Sequence, residues 1–195
     1  MRSLEELLRL KKQIRVIGFD DAPFEKASGS PVKIAGVVCS DTRFEGMLWG
    51  EVARDGTDAM EVIVKILQGS KFYEQVNLVL TDGIAFGGFN MIDLKELSIR
   101  LERPCIAVMR KHPDIEAVSH ALMNFSDYQQ RKQILVKAGK IYSHNNMYYQ
   151  VYGCRADTAA SILEKLTDRG YVPEALRLAH LIGAAVITGE SSNRA

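Results

Sequence analysis

Apolar positions in this chain fall either in short unbroken runs or at helix spacing, and the two patterns follow one another in a readable order. Leu4, Leu7 and Leu8 share one face of a short N-terminal helix that ends at Lys11 and Lys12. Ile14 to Phe19 reads as a strand running into Asp20-Asp21, and Ala22 to Pro31 as a flexible connection rich in Ser, Gly and Pro. Val32 to Ser40 and Gly46 to Ala53 are two further strands. Asp41-Thr42 and Arg43 turn between them, which predicts an antiparallel hairpin. The spacing of Met60, Ile63, Val64 and Leu67 predicts a helix over about Thr57 to Leu67, capped by Thr57 or Gly56.

Val76, Leu78, Val79 and Leu80 form the most continuous apolar run, the mark of a strand buried on both faces. It ends on Asp82-Gly83, enters a glycine-rich loop from Ile84 to Asn90, and leads into a helix from about Met91 to Leu101. Pro104 to Met109 is the next strand and closes on Arg110-Lys111. Helices follow from Pro113-Asp114 (Ile115, Val118, Ala121, Leu122) and over about Ser126 to Ala138. Ile141 to Tyr152 reads as a strand or hairpin turning at Asn145-Asn146, and helices over about 156–169 and 173–188 close the chain. The order β-β-β-α-β-α-β, then mostly helices, predicts a mixed α/β sheet, antiparallel at one side and parallel at the other. No internal repeat, low-complexity segment or domain boundary is evident, so residues 1–195 read as a single domain.

Composition narrows the classes. With 25 basic and 24 acidic residues, no global field draws the chain to nucleic acid, so such binding would need a local patch. Cys39, Cys105 and Cys154 are odd in number and far apart, without C-x-x-C, which argues against a disulfide framework or a zinc site and for a reducing cytoplasm. No apolar run approaches the roughly 18 residues of a membrane span, and the N-terminus is too charged for a signal peptide.

The candidate chemistry lies in acids at strand ends. In open α/β sheets ligands bind beyond the C-terminal ends of the strands, where Asp20 and Asp82 fall if their strands are neighbours; Asp55, entering the first long helix, can approach from the side. The loop glycines match neither the P-loop nor the dinucleotide fingerprint. Two carboxylates about 5 Å apart at an effective dielectric near 20 repel by roughly 3 kcal/mol. A cluster of them, with Asp21 close by, therefore calls for protons or a divalent cation. Oxygen ligands favour Mg2+ or Mn2+ over zinc, and such an ion can polarise a phosphate and activate water. The plainer alternative, an acid that only caps a helix or shapes a turn, applies to each of these positions, and more strongly to Asp21 and Asp58.

These residues resemble a known nuclease. Gly18-x-Asp20, Arg54-Asp55-Gly56, Asp82-Gly83 and Pro104-x-Ile106-x-Val108 look like endonuclease V over about Ile14 to Arg110. The Asp-Asp after the first strand, the Asp-Gly followed by Gly-Phe-Asn, and Pro173-Glu174, Arg177 and Ala179-His180 are more similar still to a small, mainly archaeal family related to that nuclease, over essentially the whole chain. The resemblance implies a ribonuclease H-like fold: three antiparallel strands followed by parallel β/α units, with helices on both faces. It aligns Asp20 and Asp82 with metal-binding aspartates, Asp55 with a catalytic glutamate and Arg110 with a lysine. Two features of the nuclease are missing: the His shortly after Asp-Gly, where this loop reads Ile84-Ala85-Phe86-Gly87-Gly88, and the Pro-Tyr-Ile-Pro wedge.

Glu174, Arg177 and His180 fall on one broad face of the last helix. They can serve the acidic pocket, His180 as proton shuttle and Arg177 on a phosphate, or form a structural ion pair beside a packed histidine. Tyr142, Tyr148, Tyr149 and Tyr152 are base-stacking candidates or ordinary strand tyrosines; His112 and His120 lack ligand spacing. The expected function is divalent-metal-dependent hydrolysis of phosphodiester bonds in DNA or RNA, with Asp20, Asp55 and Asp82 as metal ligands and Arg110 and Arg177 as nucleic-acid contacts. The alternatives are a nucleic-acid-binding module without turnover, and a nucleotide- or small-molecule-binding α/β protein.

Overall fold

The fold was analysed in a computed structural model that describes residues 2–27 and 30–192. Ser28 and Gly29, in the expected connection between the first two strands, lie outside the described residues. A short helix α1 (Leu4–Arg9) opens the chain, its N-terminus capped by the Ser3 hydroxyl, which accepts from the Glu6 N–H. Strands β1 (Arg15–Asp21), β2 (Pro31–Ser40) and β3 (Arg43–Ala53) pair antiparallel in turn, as the sequence predicts. Helix α2 (Ala59–Gln68) starts two residues later than expected. Neither Gly56 nor Thr57 caps it; Asp58 takes the cap position and turns its carboxylate back onto the Ala53 N–H at 3.1 Å.

Strand β4 (Leu78–Asp82) follows, and the glycine-rich loop proves to be a miniature hairpin of β5 (Ala85–Phe86) and β6 (Asn90–Met91). Helix α3 (Leu94–Leu101) therefore begins three residues after Met91, where the Asp93 carboxylate accepts from the Glu96 N–H. Then come β7 (Cys105–Met109), α4 (Ile115–Leu122), α5 (Tyr128–Lys137), β8 (Tyr142–His144), β9 (Met147–Tyr152), α6 (Ala156–Lys165) and α7 (Glu174–Thr188). The seven-stranded sheet runs β3-β2-β1-β4-β7-β9-β8. Its parallel part, β1-β4-β7, is central. The β8–β9 hairpin pairs antiparallel with β7, so both sides of the sheet are antiparallel and not one.

Alternation along the strands feeds two cores, one on each face. Ile17, Phe19, Val79, Cys105 and Ala107 pack under α2 and α3 with Ile63, Leu67, Leu97 and Leu101. Val16, Leu78, Leu80, Ile106 and Val108 pack under α6 and α7 with Ile162, Leu163, Leu176 and Ala179. Each fully buried Val, Leu, Ile or Phe among them contributes about 1.5–3 kcal/mol from water exclusion. Period-two alternation then fixes the faces at the strand ends: Asp20, Asp82 and Arg110 follow the α7 side, and Asp21 the α2 side. The fold is ribonuclease H-like, α/β with helices on both faces.

Candidate active site

Asp20 and Asp82 end adjacent parallel strands in register, one step beyond the Phe19–Thr81 pair. Two further groups reach them. Gly18, two residues before Asp20, carries no side chain where one would meet the α7 backbone: a Cβ there would sit 2.8 Å from the Ala175 carbonyl carbon and the Leu176 nitrogen. Helix α7 can therefore lie close against β1, and His180, one and a half turns further on, places Nδ1 3.0 Å from Asp20 Oδ2. Arg110, just past β7, stands 3.9 Å from Asp82 Oδ2.

The electrostatics follow from this crowding. Burial pushes the Asp82 carboxyl up to about 7, Asp20 adds like-charge repulsion, and Arg110 opposes it. Asp21 is pushed up to about 6, chiefly by burial, although its Oδ2 accepts from the Gly87 N–H at 2.5 Å. His180 is raised above its ordinary value because Asp20 holds its proton. Asp20, buried at 4% exposure, thus has an imidazole on one side and a carboxylate on the other.

Asp55 is placed differently. Its φ is +55°, in the left-handed region that aspartate tolerates better than most residues. Its Oδ1 accepts from the Phe89 N–H at 2.9 Å, its Oδ2 lies 3.4 Å from Arg54 Nε, and its own N–H donates to the Gly87 carbonyl at 2.9 Å. Gly88 makes room for this, since a Cβ there would lie 2.3 Å from Asp55 Oδ1. The charges acting on Asp82 are Asp20, Arg110, Asp21 and His180, and Asp55 is not among them. Among the described residues, no three His, Cys, Asp or Glu side chains stand together as a metal-binding group. The expected triad of Asp20, Asp55 and Asp82 is therefore present as a neighbouring pair, with the third acid seated on the glycine loop.

Sequence reading missed what holds that loop. Arg131, on the most polar helix, is buried. Its guanidinium bonds Asp127 at 2.7 Å, the Phe89 carbonyl and the Asp55 carbonyl at 2.8 Å, and lies 4.4 Å from the Phe125 ring centroid. Buried Asn90 donates to the Ala53 carbonyl and Asp58 and accepts from the Ala59 N–H. A buried arginine or asparagine carries no periodicity signal; the doubled glycine Gly87-Gly88 was the one visible hint.

The remaining candidates sort plainly. Arg177 gives Nε and Nη2 to Glu174, at 2.7 and 2.6 Å. Asp58 serves the β3–α2 turn. Tyr149 is buried and donates to the Ala156 carbonyl, stacked on Tyr142, while Tyr148 meets His112 edge-on. On the other face of the same sheet edge, an apolar pocket of about 180 Å3 opens beside Gly83, walled by Ile84, Phe89, Met109, Pro113 and Gln150 among others.

Comparison with known proteins agrees with this architecture. A UPF0215 protein of Methanothermobacter thermautotrophicus is 40% identical over 192 residues, covering 96% of this chain and 94% of the relative. One from Pyrococcus furiosus is 38% identical over 191 residues, 94% and 97% of the two chains. A crystal structure of an Archaeoglobus fulgidus protein of unknown function superposes with a TM-score of 0.85 at 31% identity, over 90% of this chain and 99% of that one. The catalytic domain of human endonuclease V shares the fold at a TM-score of 0.64 and 15% identity, over 97% and 88% of the chains. Ciona intestinalis endonuclease V in complex with a 24mer DNA containing an inosine does so at 0.58 and 16%, over 87% and 84%. The Endonuclease dU family model matches residues 12–187, and the chain belongs to that family, a largely archaeal group related in fold to endonuclease V.

Proposed function

We propose that this chain is a divalent-metal-dependent endonuclease that hydrolyses phosphodiester bonds in DNA carrying deoxyuridine. The observation that supports it most is the Asp20–Asp82 pair: a buried and a partly exposed carboxylate on adjacent strands, the second pushed up to about 7, form a site that gains from an added cation. The donor set fits Mg2+ or Mn2+, which are bound through one or two carboxylates and keep several waters. Asp20 and Asp82 would hold the ion, with Asp55 joining once its carboxylate leaves the Phe89 N–H. Bound there, a divalent ion supplies Lewis-acid polarisation of the phosphate and a more acidic water.

The chain's own groups do the rest. Asp20 orients His180 through Nδ1, leaving Nε2 as the atom that gives a proton to the leaving oxygen or takes one from water. Arg110 binds the non-bridging oxygens of the phosphate beside Asp82. Arg177 keeps N–H donors that Glu174 does not use and takes a neighbouring phosphate. The apolar pocket beside Gly83 receives the base and excludes water from it. The substrate base follows the family's description, and the fold is shared with a nuclease seen on DNA.

The test is cleavage of a deoxyuridine-containing oligonucleotide with Mn2+ and with EDTA, in wild type and Asp82→Asn. Manganese-dependent cutting that Asp82→Asn abolishes supports the reading; absence of cutting with Mn2+ defeats it. The seating of Asp55 on the Phe89 N–H and Arg54 favours one second reading, a DNA-binding module without turnover. Salt-sensitive binding with no cleavage would select it.

A further inference from the structure

We propose that Gln150 reads the base, its side-chain Oε1 accepting the ring N–H of uracil inside the pocket beside Gly83. This rests on the endonuclease reading above and adds a group that recognises the N3–H edge, which uracil shares with thymine and cytosine lacks. The pocket walls are Gly, Ala, Ile, Leu, Val, Met, Phe and Pro; Gln150 is the sole residue there with a polar side chain. It lies on β9 opposite Ala107 of β7, and cross-strand partners point to the same face. Ala107 belongs to the core under α2 and α3, which is the pocket's side of the sheet. Gln150 is 4% exposed, so its amide is held in place by packing.

The amide's orientation is fixed by chemistry. One end lies 3.0 Å from the Gly139 carbonyl, which can only accept, so that end is the Nε2 donor. The other end is Oε1; it has no bond to the described residues and is not among the buried polar atoms left unpaired, so it is reachable from the pocket. An accessible acceptor in a pocket that is otherwise apolar is the one group there that can take a hydrogen bond from a ligand's donor. At about 180 Å3 the pocket is below the roughly 300–1,000 Å3 of drug-sized sites and suits one ring system. Uracil presents N3–H to an acceptor, whereas 3-methyluracil has no proton there. Loss of one such bond in an apolar site is worth about tenfold in affinity.

The test uses the full chain in EDTA, so that no cleavage occurs. A short single-stranded oligonucleotide carrying one deoxyuridine is titrated against the same oligonucleotide carrying 3-methyldeoxyuridine, while the 15N side-chain amide signals of Gln150 are followed. The expected result is a shift of those signals and about tenfold tighter binding of the uracil oligonucleotide. Gln150→Leu keeps the bulk and removes the acceptor, so it should bring the two affinities to within twofold; a purely steric preference would survive it. Unmoved Gln150 signals, equal wild-type affinities, or a preference retained in Gln150→Leu each overturn the proposal. If the variant fails to fold, the wild-type Gln150 amide signals decide: a shift with the uracil oligonucleotide that the 3-methyl one does not produce supports the proposal, and unmoved signals overturn it. Cleavage plays no part in these readouts, so failure of the nuclease reading is seen separately, in the manganese assay.

Discussion

His180 on the last helix and Asp20 on the first strand are 160 residues apart in sequence and 3.0 Å apart in space. Since Asp20 raises the His180 pKa, their bond stabilises the fold fully below the unfolded value near 6.5 and is lost as pH rises through the folded value. His180→Ala should therefore cost about 1–2 kcal/mol at pH 6 and less at pH 9, in urea melts at both. In the proposed reaction it should also slow cleavage by about 10^2 to 10^4-fold.

Asp82 works with the opposite sign. Its folded pKa of about 7 exceeds the ordinary 3.8, so ionising it costs folding free energy progressively as pH rises from about 4 to 7. About three units correspond to at most about 4 kcal/mol. Asp82→Asn should melt higher than wild type in EDTA at pH 8, with the gap closing near pH 4. Manganese should raise the wild-type melting temperature and leave the variant's nearly unchanged. A lower melting point for the variant at pH 8 would contradict this account.

Gly88 is a second point of leverage. At φ +92°, with Asp55 Oδ1 where a Cβ would sit, alanine must displace either the loop or the carboxylate. Gly88→Ala should lose about 1–3 kcal/mol of stability. The backbone amide of Phe89 should exchange faster with solvent, measurable by hydrogen exchange.

Arg131 joins α5 to both the glycine loop and the Asp55 turn. Arg131→Met keeps much of the packing on Phe125 but strands the Phe89 and Asp55 carbonyls. A loss of about 3 kcal/mol in denaturant titration is expected. Arg131→Lys should recover only part of it, because an ammonium cannot reproduce the fork.

Phosphate contacts should appear in the salt dependence of DNA binding. Arg110→Ala should weaken binding on any sequence and reduce the slope of log K against log salt by about one. Arg177→Ala should do the same if it takes a second phosphate. An unchanged slope with the fold intact would leave Arg177 only its Glu174 pair.

How legible the site was depended on the kind of signal each residue sends. Asp20 and Asp82 stand at the ends of unbroken apolar runs, so their place at the sheet edge could be read directly, and the parallel pairing of β1 with β4 put them side by side. His180 could be assigned to the last helix, but its reach to Asp20 depended on the missing Cβ at Gly18, a packing fact invisible in one dimension. Asp55 was read as a third ligand from its place before a helix. Its positive φ and its bond to Phe89 are set by a loop 34 residues away. The antiparallel return of β9 onto β7 was likewise hidden: alternation identifies a strand and says nothing of its neighbour.

The close seat of α7 on β1 has a consequence for synthesis. A ribosome delivers β1 well before α7, so the imidazole reaches Asp20 only after the chain between them has emerged. Until then one face of the sheet, with Val16, Leu80 and Ile106, lacks its α7 cover, and Asp20 lacks its imidazole partner. Fragments that stop before α7 should aggregate through that face. In the proposed reaction, His180 would come into play only in chains whose α7 has docked.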